Sequence, residues 1–162
     1  MSFNLTAATS VKNKTFQENL ESLDLEPIAQ RLMYPENGRG WSREQIESAI
    51  ARYKMFLHLI YLYPNSALVP TYEIDIVWHH HILDTRKYAC DCERLFGYFV
   101  HHNPNLNSRS ETNQLSLEKA FYDTKTLFAE HFGVLLIKEI QTSQSIILCK
   151  DRLQQASACA DL

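Results

Sequence analysis

From Asp75 to Cys92 the chain reads DIVWHHHILDTRKYACDC, with three consecutive histidines, three aspartates, two cysteines and a tryptophan. Imidazole nitrogens, carboxylates and thiolates are the donor atoms of zinc and other first-row transition metals. The same groups carry acid–base and nucleophilic chemistry when a base lies beside a nucleophile. On a helix, residues four apart share a face with β-carbons about 6 Å apart. Asp75 and His79 therefore project together, with Ile82 below them, while Ile74, Trp78 and His81 form a neighbouring stripe. The D-x-x-x-H pair offers one ion a hard carboxylate and a neutral imidazole. It is equally an arrangement in which the carboxylate fixes the imidazole tautomer.

The rest of the constellation depends on how the chain returns. If 71–83 and 85–99 are an antiparallel helical pair turning at Asp84–Thr85, residues equidistant from the turn face each other. His79 then meets Tyr88 and Ala89, and Asp75 meets Cys92. A second histidine pair, His101 and His102, follows. On an unbroken helix His102 lies about 15 Å beyond Cys92, and both cannot ligate one ion. If the helix ends at Gly97 or soon after, a bend near Asn103 and Pro104 can bring His101 or His102 back. The candidate ligands are Asp75, His79, Cys92 and His102, surrounded by Trp78, His81, Tyr88 and His101.

Each of these residues also has a plainer role. A histidine beside a tryptophan is more often a hydrogen-bonded core or rim residue than a ligand. A free cysteine is commonly a small buried hydrophobe, and Cys90 can lie on the other face from Cys92. Trp78 reads as core, and His58 and His131, isolated in helical patterns, read as structural or exposed.

The elements that must hold this stretch are helical. Ser42 and Gln45 form a capping box, and Trp41 can staple onto Ile46. Ile46, Ala49, Ile50, Tyr53, Leu57, Ile60 and Tyr61 follow the helical period up to Pro64. This predicts a central helix over 42–63 with Ile50 and Leu57 buried. Upstream, Pro27 splits 16–33 into two short helices, with Asp24 able to cap the second. Thr71 can cap the histidine-bearing helix, and Tyr88, Cys92, Leu95 and Phe99 line one face of the next. A further helix is expected over about 112–132 on Leu117, Phe121 and Phe128, with Gly133 just past its end. The segment VLLIKEIQTSQSIILCKDRL is compatible with a helix or a short hairpin.

A chain of 162 residues suits one domain. The reading is a mainly α, single-domain helical bundle with a central helical hairpin: a leader over 1–13, the domain over 14–153 and a tail over 154–162. The formal net charge of −3, with both signs interspersed, gives no footprint for nucleic acid or an anionic membrane. Four unevenly spaced cysteines do not make a disulfide framework and point to a reducing, cytoplasmic setting. The N-terminus lacks a secretory pattern, and the apolar run MFLHLIYLY is too short to span a bilayer.

From Gly40 to Pro104 the sequence resembles the glycine-rich domain-containing protein-like family. That family's pattern runs from P-T-x-E-(I/V)-D-x-x-W-H-x-H-x-L through T-x-x-Y-x-x-(D/F)-C to G-x-F-(I/V/L)-H-H-x-P. Here it falls on Asp75, Trp78, His79, His81, Thr85, Tyr88, Cys92, Gly97, His101, His102 and Pro104. The family is largely uncharacterised, so the resemblance carries over no reaction. Its plant members attach the domain to glycine-rich regions, and this chain reads as a compact stand-alone version.

Three functions compete. The first is a metal-binding domain, able to be an enzyme on an unknown substrate. Mixed His, Cys and carboxylate ligation suits zinc best, with iron as the rival. The second is a non-enzymatic interaction module in which the His/Trp/Tyr motif is a structural core. The third is thiol catalysis by Cys92 with His79 or His102 as base. A small molecule or a protein is the expected partner class, and the oligomeric state is left open.

Overall fold

The computed structural model describes residues 15–34, 40–102 and 111–136. The expected leader 1–13, the ambiguous segment from 137 onward, the tail 154–162 and the bend at Asn103–Pro104 lie outside the described residues. Six helices appear in order: α1 (Phe16–Glu21), α2 (Glu26–Met33), α3 (Arg43–Leu62), α4 (Tyr72–Leu83), α5 (Thr85–Phe96) and α6 (Glu111–Phe132). No strand occurs among the described residues. No described helix is long and apolar enough to cross a membrane.

The ends of these helices follow local chemistry. Thr15 and Glu18 close a capping box on α1, and Ser42 and Gln45 close one on α3. In both, the hydroxyl accepts from an otherwise orphaned main-chain N–H while the longer side chain returns to the cap residue. Pro27 sits in the first turn of α2, where its missing N–H costs nothing. Asp24 lies one residue further out than expected: Leu25 is the cap, and Asp24 Oδ1 accepts from the Glu26 N–H at 3.0 Å. Thr71 is the cap residue of α4, but its side chain makes no capping hydrogen bond. Gly97 ends α5 in the left-handed region at φ 75°, a conformation open to glycine at little cost. The α5 helix therefore stops short of Phe99, which is 46% exposed instead of lining the buried face.

Helix α3 is the hub and packs against α2, α4 and α6, while α5 packs on α4 and α1. Its buried stripe is Ile46, Ala49, Tyr53, Phe56, Leu57, Leu59 and Ile60. One sequence expectation, the burial of Ile50, fails here, and Tyr61 shows where the helical stripe reaches the surface. Ile50 is only partly buried, beside a groove of about 430 Å³ between α2 and α3, and Tyr61 is 47% exposed, stacked on Phe16 at 3.8 Å. Both residues sit at the margin of a stripe whose centre is claimed by Tyr53, Phe56 and Ile60. Elsewhere an Arg52–Glu73 ion pair joins α3 to α4. Thr124 Oγ1, fully buried on α6, accepts from the Val69 N–H at 3.0 Å and fixes α6 against the chain entering α4.

Candidate functional site

Helix α4 presents two adjacent stripes, and each finds a different partner. Ile74, Trp78 and His81 turn inward and are buried; Asp75 and His79 turn toward solvent. The inward stripe meets α5. Trp78 Nε1–H donates to the Tyr88 hydroxyl at 2.9 Å, and His81 lies 3.1 Å from Asp91 Oδ2. Helices α4 and α5 pair across the turn at Asp84 as expected, but the α4 side chains that bond to α5 are Trp78 and His81 rather than His79 and Asp75. A step of one residue turns a helix by about 100°, and the more apolar stripe took the core.

Cys92 follows the core. It is 2% exposed, against the Tyr88 hydroxyl and the main chain of Val100, and burial pushes its thiol pKa up. A thiol so placed forms little thiolate, the reactive species. The structure thus does not bring Cys92 to Asp75 and His79, and it gives thiol catalysis no support. Cys90 is exposed.

His102 takes the place that Cys92 leaves. After Gly97 the chain turns back, and the Tyr88 O–H donates to the Val100 carbonyl at 2.6 Å. Two residues later His102 Nε2 lies 2.8 Å from Asp75 Oδ1. The His102 ring is edge-on to both Trp78 and His79, with centroids 4.5 Å away in each case. One ligand atom each from Asp75, His79 and His102 fall within 4.8 Å of one another. His101 points elsewhere, exposed beside Phe99 at 4.9 Å.

The hydrogen bonds also fix protons. His79 Nδ1 lies 2.7 Å from the main-chain carbonyl of Asp75 and 3.3 Å from its Oδ2. Both oxygens accept, so Nδ1 carries the proton and the Nε2 lone pair stays available. His102 donates through Nε2 to the same carboxylate. Side-chain exposures of 48% for His79, 35% for Asp75 and 13% for His102 make this a shallow site open on the His79 side.

His81 belongs to a separate buried chain that sequence reasoning did not assemble. Tyr53 Oη lies 2.9 Å from Nδ1, Nε2 faces Asp91, and Lys87 Nζ donates to Asp91 at 2.7 Å. Burial, outweighing the Asp91 hydrogen bond, holds the His81 pKa below the usual imidazole range. The ring is then neutral, with Nε2–H donating to the carboxylate and Nδ1 accepting from Tyr53. The available signal was Asp91 itself, a carboxylate between Tyr88 and Leu95 on an otherwise apolar stripe.

Comparison with known proteins places the chain in a family. Over 92 residues the chain is 34% identical to glycine-rich domain-containing protein 1 of Arabidopsis thaliana, and equally to glycine-rich domain-containing protein 2 of the same plant. Each alignment covers 54% of this chain and 11% of the relative, so the chain matches only a small part of those proteins. No solved structure gives a significant match. A family model described as UCP032817-like matches residues 18–126, which span α2 to α5 in full. The chain belongs to the UCP032817-like family, and over part of its length it is similar to the glycine-rich domain-containing proteins.

Proposed function

We propose that the chain is a metal-binding helical domain in which Asp75, His79 and His102 hold a divalent transition metal, zinc first and iron second. The observation that carries this reading is the convergence of two imidazoles and one carboxylate, drawn from α4 and from the segment after Gly97. Zinc bonds of about 2.0–2.1 Å put neighbouring donors of a tetrahedral shell roughly 3.3 Å apart. Donors already within 4.8 Å can close to that spacing by side-chain rotation. The donor set fits zinc and also the two-histidine, one-carboxylate pattern of iron(II) sites.

Among the described residues the cluster supplies three protein ligands, and a set of three leaves at least one coordination position open. Closed structural zinc sites use four, so this set matches a site that takes water, a small molecule or a partner's side chain. Nδ1–H donates to the Asp75 carbonyl, so the lone pair that His79 offers in this tautomer is at Nε2. A ligand held this way keeps its tautomer and ring plane.

One observation favours the competing reading, a non-enzymatic interaction module. Asp75 already pairs with both imidazoles, so the cluster is satisfied as a hydrogen-bonded unit. The deciding experiment is metal analysis by mass spectrometry on protein purified without an affinity tag, followed by zinc and iron(II) titration. Stoichiometric metal that disappears in His79→Ala supports the metal site. Protein that holds no metal, and binds neither ion on titration, belongs to the interaction reading.

A further inference from the structure

We propose that Tyr88 is the positioning residue of the Asp75–His79–His102 cluster, its hydroxyl fastening the Val100 carbonyl to α5 and so delivering His102 to Asp75. The residues from Gly97 to His102 form neither helix nor strand, so no repeating hydrogen-bond ladder places them. Tyr98 and Phe99 are each 46% exposed and His101 is exposed, which leaves Val100, 9% exposed, as the inward anchor ahead of His102. The 2.6 Å bond from Tyr88 to the Val100 carbonyl is that anchor's strongest tie, with the Cys92 sulfur a weaker contact on the same main chain. Two residues of chain span at most about 7 Å, so fixing Val100 confines His102 to a small volume.

The Tyr88 hydroxyl is also fixed from the other side. It accepts from Trp78 Nε1–H on α4, one residue from His79 and three from Asp75. Trp78 itself lies against the His102 ring. One hydroxyl thus joins α4, α5 and the returning segment, which between them contribute all three cluster residues or their support. Phenylalanine at 88 would keep the ring packing against His81 and Phe99. It would leave the Val100 carbonyl and the Trp78 indole without their partner.

The test needs no metal in its first arm. Histidine ring tautomers are read by long-range proton–nitrogen spectra of metal-free protein, with His102 assigned by its absence in His102→Ala. In the wild type His102 should show the Nε2-protonated form, shifted by the Trp78 ring. In Tyr88→Phe, with helical circular dichroism retained, those signals should move to tautomer-averaged positions. Unchanged His102 signals overturn the proposal. Should Tyr88→Phe not fold, the wild type still decides. Its Tyr88 hydroxyl proton should exchange slowly and give a cross-peak to the Trp78 indole N–H, and a missing cross-peak overturns the clamp.

The second arm rests on the metal reading and uses cobalt(II), followed by visible absorption. Tyr88→Phe should lower affinity about 10–100-fold, as loss of a ligand-orienting contact does. Tyr88 acts through His102, so the cobalt(II) affinity lost in Tyr88→Phe should not exceed that lost in His102→Ala. A larger loss in Tyr88→Phe means a general structural role and overturns the proposal. A wild type that takes up no cobalt(II) sinks the metal reading, and the histidine spectra then decide the positioning role by themselves.

Discussion

At the scale of single residues, chemically similar groups have been sorted by exposure. Cys90 and Cys92 are two positions apart, yet one is exposed and the other sits in the core with its thiol pKa raised. Thiolate character and access together set reactivity. Iodoacetamide at neutral pH should therefore label Cys90 readily and leave Cys92 unmodified until denaturant is added, as peptide mass spectrometry will read. Early labelling of Cys92 would contradict the placement of α5. The histidines divide in the same way: His79 is open to solvent while His81 is a neutral link between Tyr53 and Asp91. Replacing His81 by leucine leaves the buried Tyr53 hydroxyl without a partner and removes one from Asp91, which keeps Lys87. An unsatisfied buried group costs about 1–3 kcal/mol. Urea unfolding of His81→Leu should show a loss in that range, while cobalt(II) affinity falls far less than in His79→Ala.

At the scale of elements, legibility followed the range of the interaction. The α3 start could be read from Trp41–Ser42–Gln45 because a capping box is closed within four residues. The Asp75 and His79 pairing was readable for the same reason, since helix spacing alone joins them. The choice between the two stripes of α4 was not, because both carry ligand-type side chains and only the packing of α3 and α5 decides which is buried. His102 could be foreseen only conditionally. Whether it returns depends on the left-handed turn at Gly97 and on the Tyr88–Val100 bond, a contact between a side chain and a carbonyl twelve residues on. Tyr53 and His81, 28 residues apart on different helices, left no local signal of their contact. The same distinction between centre and margin gives a prediction for α3. Leu57, 2% exposed, should cost about 2–5 kcal/mol on truncation to alanine. Ile50, half-buried at the groove edge, should cost roughly 1 kcal/mol, because part of its side chain is already in water. Equal losses in denaturant unfolding would mean that the α2–α3 groove is filled in solution.

At the scale of the whole molecule, the cluster ties together parts of the chain that are far apart in sequence. Asp75 and His79 belong to α4, His102 follows α5, and α4 is itself seated on the hub helix α3. The unfolded chain does not hold the three donors together, so a metal bound here favours the folded state by linkage. With free metal at a hundred times its dissociation constant, that stabilisation is about 2.7 kcal/mol. For a domain near this size each kcal/mol moves the melting temperature about 2–4 °C, which gives a rise of roughly 5–10 °C. The sign with pH follows from proton competition: an imidazole must be unprotonated at its donor nitrogen to bind, so acid opposes the metal. The shift should be larger near pH 8 than near pH 6, because protons compete with the metal for the ligand nitrogens. Scanning calorimetry with and without zinc at both ends of that interval measures it, with His79→Ala and His102→Ala as controls that should lose the shift at either pH. A zinc-dependent rise that survives in both variants, or that does not fall with acid, would place the bound ion elsewhere on the chain and remove the cluster from the account.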